Sequence, residues 1–114
     1  MRPLLHGDLV AAARALLAVP AAGRDAAMAS MLAAADRADR YRKSFGRAHP
    51  RHGTGSLMAA AGAWQQPPEP GLDDADYIAC LLCALAAIQG RREHAARAPT
   101  GVRAASDLSS GPDR

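Results

Sequence analysis

The chain carries one phenylalanine, one tryptophan and two tyrosines in 114 residues. So few rings leave little with which to fill a core, and little for a platform that stacks on bases. There is one lysine against 13 arginines. No lysine follows the only glycine-rich turn, which removes a Walker-type phosphate loop. The arginine bias reads mainly as GC-rich coding. The two cysteines, Cys80 and Cys83, lie three apart, too close along a helix for a disulfide framework. The longest apolar run, Tyr77 to Ile88, has 12 residues, where a bilayer span needs about 20. Strand-type alternation and internal repeats are both missing.

What is abundant is alanine. The apolar fraction is 49%, and 29 of those 56 residues are alanine. The remaining 27 predict thin, closely approaching helices and a small core that gains from oligomerisation or a partner. The length suits one domain. His6, Asp8 and Arg14 interrupt any apolar leader, so no signal peptide is expected, although Ala18-Val19-Pro20-Ala21 loosely resembles a cleavage site. The expected location is the cytoplasm.

Four helices are legible. Asp8 suits the N-cap of a first helix from about Leu9 to Val19, with Leu9, Ala13, Leu16 and Leu17 as its apolar stripe. A second runs from about Arg24 to Phe45 and stops at Gly46. Its buried side is Met28, Met31, Ala35, Ala38 and Phe45, flanked by Leu32 and Tyr41. Its other side holds the i, i+4 pairs Asp36–Arg40 and Asp39–Lys43, which predicts a solvated face. Ser56 caps a short third helix to about Trp64. The stiff Pro67-Pro68-Glu69-Pro70 connector follows. Asp73 or Asp74 caps a fourth helix that ends at Gly90. Being apolar all round, it should be central and most buried. The expectation is an all-α compact array within residues 1–94, with residues 95–114 as a disordered tail.

The segment Arg40 to Ser56 is the oddest in composition. Arg40, Arg42, Lys43, Arg47 and Arg51 stand there without an acid between them, joined by His49 and His52. Gly53, Thr54, Gly55 and Ser56 then open a helix. A cationic loop that leads into a helix start suits an anion, such as the phosphates of nucleic acid or of a nucleotide. The opposing view is that the glycines only turn, Ser56 only caps and the arginines only solvate. A helix-turn-helix does not fit, because the loop from Arg47 to Gly55 exceeds the usual three to four residues. The helix after it, Leu57 to Trp64, has no side chain that reads a base edge. Tyr41 and Phe45 fall at core spacings, which weakens a stacking model.

Other constellations are weaker. Cys80-x-x-Cys83 with His49-x-x-His52 has zinc-type ligands, but the cysteines sit in an apolar helix and the histidines flank Pro50. The same cysteines lack the βαβ context of a redox motif. Asp73, Asp74 and Asp76 read as capping and dipole residues. His6 and His94 are isolated. Trp64 beside the proline strap is either a core plug or a docking patch. No catalytic set, cofactor or metal site is expected.

Tyr41-Arg42-Lys43, Gly46-Arg47, His49-Pro50 and Gly53-x-Gly55-Ser56-Leu57-Met58-Ala59-Ala60-Ala61, with Asp73-Asp74 and Tyr77, resemble a segment of short alphaproteobacterial proteins of unknown function. The resemblance spans about residues 1–90. It implies a compact bacterial domain and transfers no activity, ligand or site residue. The reading is a non-enzymatic accessory or regulatory protein. It binds a protein partner through the basic loop and adjacent helices, with a homo-oligomer as a further option and no membrane contact. The alternative is a DNA or RNA backbone binder that uses the Arg40–Arg51 segment.

Overall fold

The computed structural model describes residues 1–97. Four α-helices follow one another: α1 (His6–Leu17), α2 (Arg24–Phe45), α3 (Leu57–Ala61) and α4 (Ala75–Arg97), with a 3-10 turn at Ala21–Gly23. Among the described residues there is no strand beyond one isolated bridge, His49 with Gly53. The array is all-α, as its periodicity predicts. The expected tail lies outside the described residues, except that α4 continues through its first positions to Arg97.

α1 begins three residues earlier than its composition suggests. Leu5 is the N-cap, and Asp8 stands at the third helical position. Its carboxylate accepts the Leu5 amide at 2.8 Å, the reaching-back half of a capping box. α3 is shorter than expected. It stops at Ala61, and a tighter turn carries the chain to Trp64, whose amide donates to Ala61 at 3.0 Å. Trp64 is half-buried and packs on the core.

The centre of the array is α1, not α4. α1 packs on α2, α3 and α4. Its Ala12, Ala13, Ala15 and Leu16 are fully buried. Alanine accounts for this, because methyl-sized walls let three neighbours come close at once. Met28 and Met31 of α2, Leu57 of α3, and Tyr77 and Cys80 of α4 fill the spaces between them. Among the residues whose burial is described, α4 buries Tyr77, Cys80 and Ala84, whereas Leu82 is 62% and Leu85 47% exposed. With α1 in the middle, no element remains to cover the second side of α4. The helix also runs on past Gly90. A lone helical glycine costs about 1 kcal/mol, which good helix formers on both sides absorb.

Polar side chains stitch the thin core together. Arg24 is 8% exposed. Its Nε donates to the Leu16 and Val19 carbonyls at the end of α1, both at 3.0 Å. Its fork grips both Asp76 oxygens at 2.8 and 3.1 Å. Asp74 accepts the Tyr77 amide at 2.9 Å, so it caps α4. The proline strap is held by Arg14, which donates to the Pro67 and Gln66 carbonyls, and by the Tyr77 hydroxyl, which donates to Glu69 at 2.9 Å.

Candidate functional site

α2 ends at Gly46, which adopts φ 69° and donates back to Arg42 at 2.7 Å. That left-handed residue turns the chain sharply. A small hairpin follows. His49 and Gly53 exchange backbone hydrogen bonds of 2.8 and 3.1 Å across Pro50, Arg51 and His52. His49 Nδ1 accepts the Arg51 and His52 amides at 3.0 and 3.2 Å. The imidazole therefore braces the turn from inside. His49 and His52 are structural parts of the loop as well as members of its surface.

Four rings line up on this hairpin. Phe45 and Tyr41 have centroids 4.6 Å apart, Tyr41 and His49 4.8 Å, and His49 and His52 4.7 Å in a stacked pair. Phe45 is 63% exposed, and the other three rings are half-buried. This corrects the expectation that Phe45 and Tyr41 face the core. The last buried apolar residue of α2 is Ala38. The final two turns extend past the array, so residues in phase with the core stripe find no core to enter. The Gly46 stop is a sequence signal that the last turn overhangs.

The cations divide into two groups. Arg42 and Lys43 are tied to Asp39 at 3.0 and 3.1 Å. Among the described residues Arg37, Arg40, Arg47 and Arg51 form no salt bridge with a carboxylate, and all four are exposed. The expected Asp36–Arg40 pair is not formed. Asp36 instead takes the Met1 amine at 2.8 Å and Arg91 at 2.6 Å. Nor is that side of α2 solvated, since Asp39 is 2% exposed. The Met1 amine lies 3.2 Å from Asp39, and the Arg2 amide donates to Gly55 at 3.0 Å. The first residues thus lie between α2 and the loop. Lys43, Arg42 and the amine hold the Asp39 carboxyl well below its usual range against the opposing effect of burial. Burial raises the Asp36 carboxyl, but Arg91 and the Met1 amine outweigh it and the net shift is downward. Burial lowers the His52 imidazole, and the charges of His49, Arg37 and Arg51 lower it further. His52 is therefore neutral near pH 7 and sits in a positive field.

Gly53 to Ser56 turns inward. Gly55 has φ 99°, and an added Cβ would lie 2.8 Å from the Asp39 Cα. Ser56 Oγ accepts the Ala59 amide at 3.0 Å, as its capping role predicts. The Met58 amide donates to Asp8 at 2.9 Å. The anion at the start of α3 is therefore the protein's own Asp8 carboxylate, 5% exposed. Nothing in the composition of residues 53–56 announces this, because the partner lies 50 positions away. Gly53, Gly55 and Ser56 build the loop's base, while Arg40, Arg47, Arg51 and the rings form its outer surface.

The cysteines stay apart from this surface. Cys80 is buried, and Cys83 donates to Asp25 at 3.4 Å. Burial raises both thiols, and the Asp25 hydrogen bond raises Cys83 further. Among the described residues no three His, Cys, Asp or Glu side chains converge as metal ligands. A family model described as a domain of unknown function (DUF7742) matches residues 2–88. No curated protein and no solved structure matches the chain.

Proposed function

We propose that this chain, which belongs to the DUF7742 family, is a non-enzymatic binding protein whose ring-lined basic hairpin takes single-stranded nucleic acid. One observation carries the reading. Phe45 is exposed at the end of a ladder of four rings, within a segment of unopposed arginines. Rings hold bases whatever their sequence, and the arginines meet the phosphates between them. The small core and the candidate docking patch at Trp64 rank a protein partner first from composition. The exposure of Phe45 supports the opposite order. The resemblance to alphaproteobacterial proteins adds a bacterial cytoplasm to the proposal. No described helix is long and apolar enough to cross a membrane.

A second reading keeps the same surface for an acidic protein partner, with Phe45 as the anchor and the arginines as its charged rim. Binding to single-stranded and duplex oligonucleotides, at low and physiological salt, separates the two. The first reading expects a preference for single strands. Each neutralised phosphate adds about 0.7 to the salt slope on a single strand. Replacing Arg47 and Arg51 together by Glu should reduce that slope and most of the affinity. Phe45→Ala should cost about 1–3 kcal/mol, roughly a 5- to 150-fold loss. Absence of oligonucleotide binding at both salts would eliminate the first reading and leave the second.

A further inference from the structure

Within the hairpin, the His49 side chain has two roles at once. Its Nδ1 accepts the Arg51 amide at 3.0 Å and the His52 amide at 3.2 Å. An imidazole nitrogen accepts only while it carries no proton, so this ring is neutral with its hydrogen on Nε2. The same ring stacks on His52 at 4.7 Å and meets Tyr41 edge-on at 4.8 Å. It therefore links the α2 half of the ladder, Phe45 and Tyr41, to the hairpin half.

Protonation of His49 undoes both roles. The proton goes to Nδ1, because Nε2 already holds one. An imidazolium has two donors and no acceptor, so the Arg51 and His52 amides lose their partner and face an N–H instead. The ring also becomes a cation among cations. Arg47, Arg51 and His52 flank it in the hairpin. Tyr41 and Arg37 face the histidine pair from α2. α3 meets the loop through the uncharged Ala59, against Gly53. Arg2 meets it at its base, through Gly55. The acid on that side, Asp39, lies against Gly55 and is already held by Arg42, Lys43 and the Met1 amine. Among the described residues no carboxylate pairs with either imidazole.

We propose that the hairpin is an acid-operated release switch. With His49 neutral it is closed and holds the strand; with His49 protonated on Nδ1 it opens, splits the ring ladder and lets the strand go. What is released rests on the single-strand reading above, whereas the opening does not. The effect is opposite in sign to a simple gain of charge. Added positive charge strengthens the hold on phosphates, so a basic loop without this brace binds better in acid. His52 acts in the same direction as His49. Burial and the charges of His49, Arg37 and Arg51 lower its imidazole. The closed hairpin thus takes up that proton later than the open one, and it loses stability as the pH falls below the ordinary imidazole value of about 6.5.

The test applies two readouts to the full chain, about one pH unit above and about one below that value. Heteronuclear NMR follows the Arg51 and His52 amides and the His49 ring nitrogens. At the higher pH the amides should be protected and Nδ1 bare; at the lower pH the amides should open and Nδ1 carry a proton. Affinity for a single-stranded oligonucleotide should fall about tenfold over the same range, the extent to which a free imidazole is converted. His49→Asn offers a carboxamide oxygen to the amide two residues on and does not titrate. It also removes a ring, so its readout is the ratio of its affinities at the two pH values, which should show no loss in acid. Protected amides with a bare Nδ1 at the lower pH, tighter binding in acid by the parent, or the same acid loss in His49→Asn would each overturn the proposal. Opening in acid with no oligonucleotide binding at either pH would uphold the switch and refute the strand as what it releases.

Discussion

Gly55→Ala should be among the most damaging single-methyl changes in this protein. Two separate costs meet at that position. The first is conformational: at φ 99° an alanine is strained, by about 1–2 kcal/mol. The second is steric. The new Cβ would lie 2.8 Å from both the Cα and the Cβ of Asp39. These atoms belong to the α2 backbone and the root of its side chain, so no rotamer change relieves the contact. Overpacking of this kind costs about 1–3 kcal/mol. To escape, the loop must move away from α2 and stretch the 3.0 Å bond from the Arg2 amide to the Gly55 carbonyl, with loss of about 1 kcal/mol. The reduced freedom of the unfolded chain returns about 0.4–1 kcal/mol. The net expectation is about 2–5.5 kcal/mol.

The internal control is Gly46→Ala. Gly46 is also left-handed, at φ 69°, but a Cβ there meets nothing within 4 Å. It carries the conformational cost alone, about 1–2 kcal/mol before the unfolded-state gain. Denaturant unfolding followed by circular dichroism measures both variants. In a domain of this size, 1 kcal/mol moves the melting temperature by roughly 4–8 °C, so the two should separate clearly. Equal losses would refute the claim that close approach to Asp39, rather than backbone handedness, makes Gly55 necessary.

The remaining predictions concern buried polar groups and the core. Asp8→Asn keeps the size but leaves one acceptor for the Leu5 and Met58 amides, and should cost about 1.5–3 kcal/mol in denaturant unfolding. Leu16→Ala, at a fully buried site, should cost about 2–5 kcal/mol in the same assay. Asp36 and Asp39 are held below their ordinary carboxylate range, so the folded state takes up protons later than the unfolded one. Their contribution is complete above the ordinary carboxylate value of about 3.9 and declines as the pH falls below it. A denaturant midpoint that drops with acidity in the parent, and less in the Asp36→Asn, Asp39→Asn double variant, is the expected pattern. Burial and the Glu69 hydrogen bond push the Tyr77 phenol up to about 12. Stability should therefore fall as the pH rises from about 10, the ordinary phenol value, and ionisation followed by absorbance should lag in the folded chain.

The local elements were largely readable, and their assembly was not. α2 is bounded by residues that act locally. Gly46 can turn left-handed, and the Met28, Met31, Ala35, Ala38 spacing marks the buried side whatever packs there. Ser56 caps α3 through its own hydroxyl. Most of the misreadings involve partners distant in sequence. Asp36 and Asp39 look like surface ion-pair residues until the Met1 amine and Arg91 arrive from elsewhere. Asp8 looks like a cap until the start of α3 is set beside it. α4 looks central because apolar residues surround it, but periodicity cannot tell which helix occupies the middle. Alanine content does not single it out either: α1 holds 4 alanines in 12 residues, α2 7 in 22 and α4 7 in 23. Phe45 shows the limit of periodicity at a helix end: being in phase with the core does not bury a residue beyond the core's edge.

The same long-range pairing sets the surface charge. Residues 37–52 contain six cations and a single acid, Asp39. That acid is buried, and it is engaged by Arg42, Lys43 and the Met1 amine. The segment's excess is larger than the whole chain's net charge of +3, so the remainder of the molecule is net negative. Much of the acidic charge is spent inside the fold or at its seams, with Asp8 on backbone amides, Asp36 on Arg91 and Asp76 on Arg24. A polyanion approaching the protein is therefore attracted at the hairpin and repelled by the net charge of the rest, which focuses encounter on the face that carries the ring ladder. A modest overall charge thus conceals a strongly polarised molecule, and the polarisation arises because the fold neutralises its acids internally while leaving Arg37, Arg40, Arg47 and Arg51 unopposed.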